Sequence, residues 1–121
     1  MKSEAIDYAE RALLGSLLMR PRELEFCGGL KASDFRDADR GRMFNAIVEL
    51  GDLGDATLVA LQLEGSGATP PRGLPGWHTA VAKMLDHDIV DIEAVPLYVQ
   101  KIKEAAIERR IASRYTDGGG A

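Results

Sequence analysis

The densest set of side chains able to hold a metal is Asp86-His87-Asp88 with Asp91, and the other histidine, His78, lies nine residues before His87. A bound cation needs several donors converging on it from different directions. Neighbouring residues in a turn between helices rarely converge in that way, and a second imidazole would have to arrive from another element. The segment therefore reads as a solvated acidic turn. Cys27 is the single thiol. A nucleophilic cysteine needs a nearby base; none is identifiable, and a half-buried core cysteine is the better account. A phosphate cradle of the G-x-x-x-x-G-K-[ST] type is absent. The one lysine followed by Ser or Thr is Lys2, and the glycine-rich segment 65–76 holds no lysine. No nucleophile elbow and no carboxylate pair beside a cleft is recognisable. These residues point to a binding module with no catalytic residue, no cofactor and no metal.

The bounds on such a module follow from length and charge. A chain of 121 residues is long enough for one real core. Apolar residues make up 45% and charged residues 28%, as in ordinary globular domains. No apolar run approaches the roughly 18 residues of a membrane span. The N-terminus, one lysine followed by acidic residues, does not read as a signal peptide. One cysteine excludes an internal disulfide, and a cytoplasmic location is expected. The net charge of −4 argues against a domain that coats nucleic acid. Lys101, Lys103, Arg109, Arg110 and Arg114 nevertheless gather in the last stretch, where a helix C-terminus favours cations whatever the function.

Helical spacing organises the rest. Asp7 and Glu10 have the spacing of a capping box, which predicts a first helix beginning at Asp7, with Ala9, Leu13, Leu14, Leu17 and Leu18 as its apolar stripe. Gly15 in that stripe permits close approach of another helix. Pro21 opens a short helix to Cys27, and Gly28-Gly29 ends it. Asp37 is a cap for a central helix carrying Met43, Phe44, Ile47 and Val48 on one face. Phe35 folds back on it, Phe44 is expected between the first and last helices, and Gly51 supplies the stop. Asp55 caps a fourth helix with Leu58 and Leu61, and with them Val59 and Leu63, as buried candidates. A Gly/Pro loop, 65–76, leads to a fifth helix on Trp77, Val81, Met84 and Leu85. Ile89, Val90 and Ile92 are too short a run for a strand. A last helix from Val95 or Pro96 to Tyr115 would be about 30 Å long. The expected architecture is all-α, about six helices in one domain over 1–115, with 116–121 a disordered tail.

Four groups of these residues carry a family resemblance. They are Ala9-Glu10-Arg11-Ala12-Leu13-Leu14-Gly15-Ser16-Leu17-Leu18 followed by Arg20-Pro21; Asp34-Phe35 with Phe44 and Ala46-Ile47; Asp55 with Leu63; and Tyr98, Ile102, Glu104 and Arg109-Arg110. In this order and spacing, over roughly Glu4 to Ser113, the chain resembles the N-terminal domain of replicative DnaB-type helicases. It departs from the family at Ala38, where proline is usual, and at Arg40-Gly41, where His-Arg is usual; segment 65–76 is also richer in proline.

The resemblance implies an all-helical, non-catalytic domain that forms part of a collar on a hexameric helicase, pairs with its copies and helps to bind primase or a loader. ATPase and unwinding would belong to a C-terminal domain. The family's last helix continues into a second, antiparallel one, so within residues 1–121 that hairpin is at most half present. An excised helicase domain and a free-standing regulator of helicase or primase both fit, and a weak nucleic-acid-binding module is a further alternative.

The expected contact surface is the last helix. Tyr98 and Ile102 lie on one stripe, and Ile107 and Ile111 on a neighbouring one with Arg110 and Arg114 beside them. A small head can hardly cover both stripes. Self-association, or docking of primase, a loader or the rest of a helicase, is expected there, with DNA contact indirect or weak and no membrane contact.

Overall fold

The computed structural model describes residues 2–85 and 90–119, with side chains over 4–85 and 90–114. Five α-helices follow in order: α1 (Lys2–Met19), α2 (Ala38–Leu50), α3 (Ala56–Gly65), α4 (Trp77–Met84) and α5 (Val95–Gly119). Four 3-10 segments join them, the longest of which, Pro21–Cys27, is the sixth helix expected from Pro21. Among the described residues there is no strand, and the all-α expectation holds.

The core forms where α1 and α5 lie antiparallel. Gly15 sits beside Val90, Tyr8 meets Tyr98 edge-on with ring centroids 6.4 Å apart, and Ala5 and Ile6 share a groove with Lys101 and Glu108. From α1 come Leu13, Leu14 and Leu17, and from α5 Val95, Val99 and Ile102, all buried. A Cβ on Gly15 would lie 2.2 Å from the Met84 carbonyl oxygen, so the end of α4 passes where no other side chain would fit. This is the close approach expected there.

Helix α1 begins at Lys2, not at Asp7. Packing against α5 carries the helix upstream, and the two carboxylates expected to cap it are turned toward α2 instead. Helix α2 is capped as expected: the Asp37 carboxylate accepts from the amides of Asp39 (2.8 Å) and Arg40 (3.2 Å). Gly51 ends it at φ 59°, a conformation that L side chains rarely adopt. Met43, Phe44 and Ile47 are buried, but Val48 is half exposed, one position too far round the helix. Phe44 is buried as expected and packs on Phe35, centroids 5.1 Å apart, in a helix seated on α1, α3 and the Ala32–Asp34 turn.

In α3 the buried face is Val59, Ala60 and Leu63, while Leu58 and Leu61 are exposed, the reverse of the weighting expected. A helix apolar on nearly every side has no periodicity to choose its inner face, and the neighbours α2 and α4 make the choice. The 66–76 segment is clasped at its ends. The Trp77 indole N–H donates to the Ala68 carbonyl (2.8 Å), and the Trp77 amide donates to Glu64 (3.0 Å). The expected acidic turn Asp86-His87-Asp88 and Ile89 lie outside the described residues. Helix α5 runs to Gly119, past the Tyr115 end and into the expected tail; Gly120 and Ala121 lie outside the described residues.

Candidate partner-binding surface

Two polar clusters hold the ends of α2 and α5, and what they leave uncovered is the candidate surface. The first joins α1 to the start of α2. Glu10 is fully buried, and its carboxylate accepts from the amide of Arg36 (2.6 Å), the amide of Asp37 (3.5 Å) and the Arg40 guanidinium (3.0 Å). Asp7, one turn earlier, accepts from Arg40 (2.9 Å) and Arg36 (3.1 Å). Burial pushes the Asp7 carboxyl up, but Arg40 and Arg36 together outweigh it and hold the group below its ordinary range. The opposite balance applies to Arg40: burial acts against its charge, and the two carboxylates more than restore it. The pair that looked like a helix cap is therefore a receptor for the Arg36 and Asp37 amides just before the next helix and for the Arg36 and Arg40 side chains. Its sequence signal, two acids on α1 and two arginines at 36 and 40, is visible only once the helices are placed side by side.

The second cluster ties α5 to the segment after Pro21–Cys27. Lys103 donates to the Gly28 carbonyl, Arg109 donates to the Asp34 carbonyl (2.7 Å), and Arg110 pairs with the Asp34 carboxylate. Asp34 is buried and also accepts from the Lys31 amide (2.9 Å). Three of the five basic residues of the last helix are thus engaged with the protein's own backbone or carboxylates. A basic face dedicated to nucleic acid is correspondingly reduced. Cys27, beneath this cluster, is buried, and desolvation pushes its thiol up to about 11 despite Lys103 nearby. Burial and that shift both disfavour the reactive thiolate.

The six residues expected to contact partners divide sharply. Tyr98 (8% exposed) and Ile102 (0%) face α1 and belong to the core, which corrects their assignment to a contact surface. Burial and the neighbouring Tyr8 and Asp91 also raise the Tyr98 hydroxyl above its ordinary range. Ile107 (52%) and Ile111 (49%) lie open on the distal half of α5. Arg110 and Arg114 are exposed on the same side, and Arg110 lines a shallow depression with Gly29, Asp34, Lys103 and Ile107. The reason is direction: α1 reaches as far as Glu108, but at about 100° per residue Ile107 and Ile111 lie on the side of α5 turned away from the buried Ile102.

Other large apolar side chains on α2, α3 and the turn between them are also exposed, which periodicity alone did not single out. Val48, Leu53, Leu58 and Leu61 are all 40% exposed or more. Glu49 and Gln62 hydrogen-bond across this pair of helices. Among the described residues no group of three or more His, Cys, Asp or Glu side chains is placed to hold a metal ion. No described helix is long and apolar enough to cross a membrane.

No protein-family model matches the chain, and no curated protein matches it. Among solved structures it is similar to the N-terminal domain of DnaB helicase from Mycobacterium tuberculosis. That match has a TM-score of 0.79 at 23% identity and covers 91% of this chain and 79% of the other. The fold of the chain is therefore that of the DnaB helicase N-terminal domain.

Proposed function

We propose that this chain is the non-catalytic N-terminal interaction and oligomerisation domain of a replicative DnaB-type helicase, contributing to the collar and to primase or loader contacts in the cytoplasm. The observation that carries the proposal is the fold match over 91% of the chain. Two further features support it. The sequence groups at Ala9–Leu18, Asp34–Phe35, Asp55 and Arg109–Arg110 fall on the elements where the resemblance expects them. The distal half of α5 also leaves Ile107 and Ile111 exposed beside Arg110 and Arg114, the pattern of an apolar strip with a charged rim that marks contact sites.

The test is binding of the chain to the primase and helicase loader of the same organism, measured by calorimetry with ATP as a control titrant. Association with one of them is expected, abolished by Ile107→Glu with Ile111→Glu while helical circular dichroism is retained. ATP is expected to give no heat. Saturable ATP binding, or a double variant that binds as wild type, would overturn the proposal.

A further inference from the structure

The two flanks of α5 differ in charge. Toward α1, Lys101, Glu104 and Glu108 line a groove with Ala5 and Ile6. Toward the turn after Pro21–Cys27, Lys103, Ile107 and Arg110 line a depression with Gly29 and Asp34. Asp34 is the one carboxylate of that depression, and both its oxygens are taken, one by Arg110 and the other by the Lys31 amide at 2.9 Å. It balances Arg110 and no further cation. Lys103 and Arg109 rest instead on neutral carbonyls, those of Gly28 and Asp34. Among the described residues neither has a carboxylate within ion-pair distance. Arg109 Nη1 is also buried without a hydrogen-bond partner there. The cluster thus sets three cations against one carboxylate, in a chain whose net charge is −4. Positive charge gathered in a partly desolvated place favours an anion. Lys103 has spent one of three donors and Arg110 one of five, so both have N–H groups to offer it.

We propose that this depression receives a carboxylate from an acidic segment of a protein partner, with the aliphatic stem of that group lying on Ile107. The inference rests on the reading of distal α5 as a contact surface and adds the chemical group that one flank of it takes. Size limits the ligand. The depression holds about 200 Å³, below the roughly 300–1,000 Å³ of sites for whole small molecules, so it admits one group and not a nucleotide. Chemistry narrows it further. Half-exposed Ile107 forms an apolar wall beside the cations, which a carboxylate on an aliphatic stem can cover and a hydrated phosphate cannot. Nucleic acid would need cations in succession along a strand, whereas the other flank of α5 carries Glu104 and Glu108. Gly29 keeps the place open. A Cβ there would lie 3.3 Å from Lys103 Nζ and crowd the ammonium that the carboxylate is to meet.

The experiment is an NMR titration of the ¹⁵N-labelled 121-residue chain at pH ~7 and constant ionic strength, with sodium hexanoate, acetate, phosphate and chloride as probes. Hexanoate is expected to shift the amide signals of Gly29 and Ile107 to saturation, with Kd on the order of 10 mM. Acetate should act on the same signals about threefold more weakly, and chloride should not saturate. Lys103→Met keeps the stem, removes the charge and should weaken hexanoate about tenfold. Ile107→Ala, at an exposed position that leaves the fold intact, should reduce hexanoate to the level of acetate and leave acetate unchanged. If hexanoate binds no tighter than acetate, or Lys103→Met leaves its binding unchanged, the inference fails, whatever the primase and loader titrations show. Tighter saturation by phosphate than by hexanoate also overturns it. If primase and loader do not bind while hexanoate saturates as expected, the partner assignment above falls and the carboxylate site stands.

Discussion

Glu10→Ala should be the most damaging polar substitution in the molecule. The carboxylate has no exposed surface and accepts from the Arg36 amide, the Asp37 amide and the Arg40 guanidinium. Removing it strands a guanidinium that is mostly buried and leaves two amides at the start of α2 without an acceptor. Hydrogen bonds to a charged group are worth roughly 1.5–3 kcal/mol each, and breaking a buried pair from one side costs about 3–5 kcal/mol. Asp7 still holds Arg40 at 2.9 Å and limits the loss, and the 3.5 Å contact to Asp37 adds little. The expected cost is about 3–4 kcal/mol. For a domain of this size that lowers Tm by roughly 10–16 °C. Thermal melts followed by circular dichroism, with urea midpoints as a second measure, test it. Glu10→Gln keeps an acceptor oxygen and should lose about half as much, and the exposed Glu25→Ala should fall within about 0.5 kcal/mol of wild type. A Glu10→Ala variant melting within ~2 °C of wild type would mean that the carboxylate does not organise the α1–α2 junction.

Three further outcomes follow from the packing and the charges. Gly15→Ala, favourable by roughly 1 kcal/mol from helix propensity alone, should instead destabilise by about 1–3 kcal/mol, because the new Cβ meets the Met84 backbone at 2.2 Å; a raised Tm would show that α4 can move aside. The folded Asp7 carboxyl titrates below its unfolded value, so its contribution is present above about pH 4 and is lost as pH falls through the folded value. Asp7→Asn should therefore lower stability at neutral pH and match wild type near pH ~2; equal stability at both would rule the ion pairs out as a source of stability. Cys27 should resist a disulfide exchange reagent at neutral pH until the protein is unfolded, and a fast native reaction would place it outside the core.

Much of the local structure follows from side chains acting on their own backbone. Asp37 and Asp55 cap the helices that begin after them, Pro21 opens a short helix, and Gly51 closes α2. Each of these rests on contacts within a few residues, which is why a one-dimensional pattern reveals them. The apolar stripe of α1 is legible for a related reason, since its leucines all lie on one side.

The surfaces were decided elsewhere. Leu58 and Val59 are equally apolar, and so are Ile102 and Ile107; in each pair one is buried and the other open. Hydrophobicity says that a side chain gains by leaving water, not which neighbour will cover it. In α3 the covering is done by α2 and α4, and along α5 by an α1 that lies against the Ile102 side and leaves the Ile107 side open. The carboxylates show the same division. Asp7 and Glu10 have the spacing of a helix cap, yet they serve Arg36 and Arg40 some 30 residues away. Charge acts through space, and that space exists only after the helices have packed. The caps and turns were therefore set along the chain, while the open surface, and with it the candidate site, was set by which sides of the packed helices their neighbours cover.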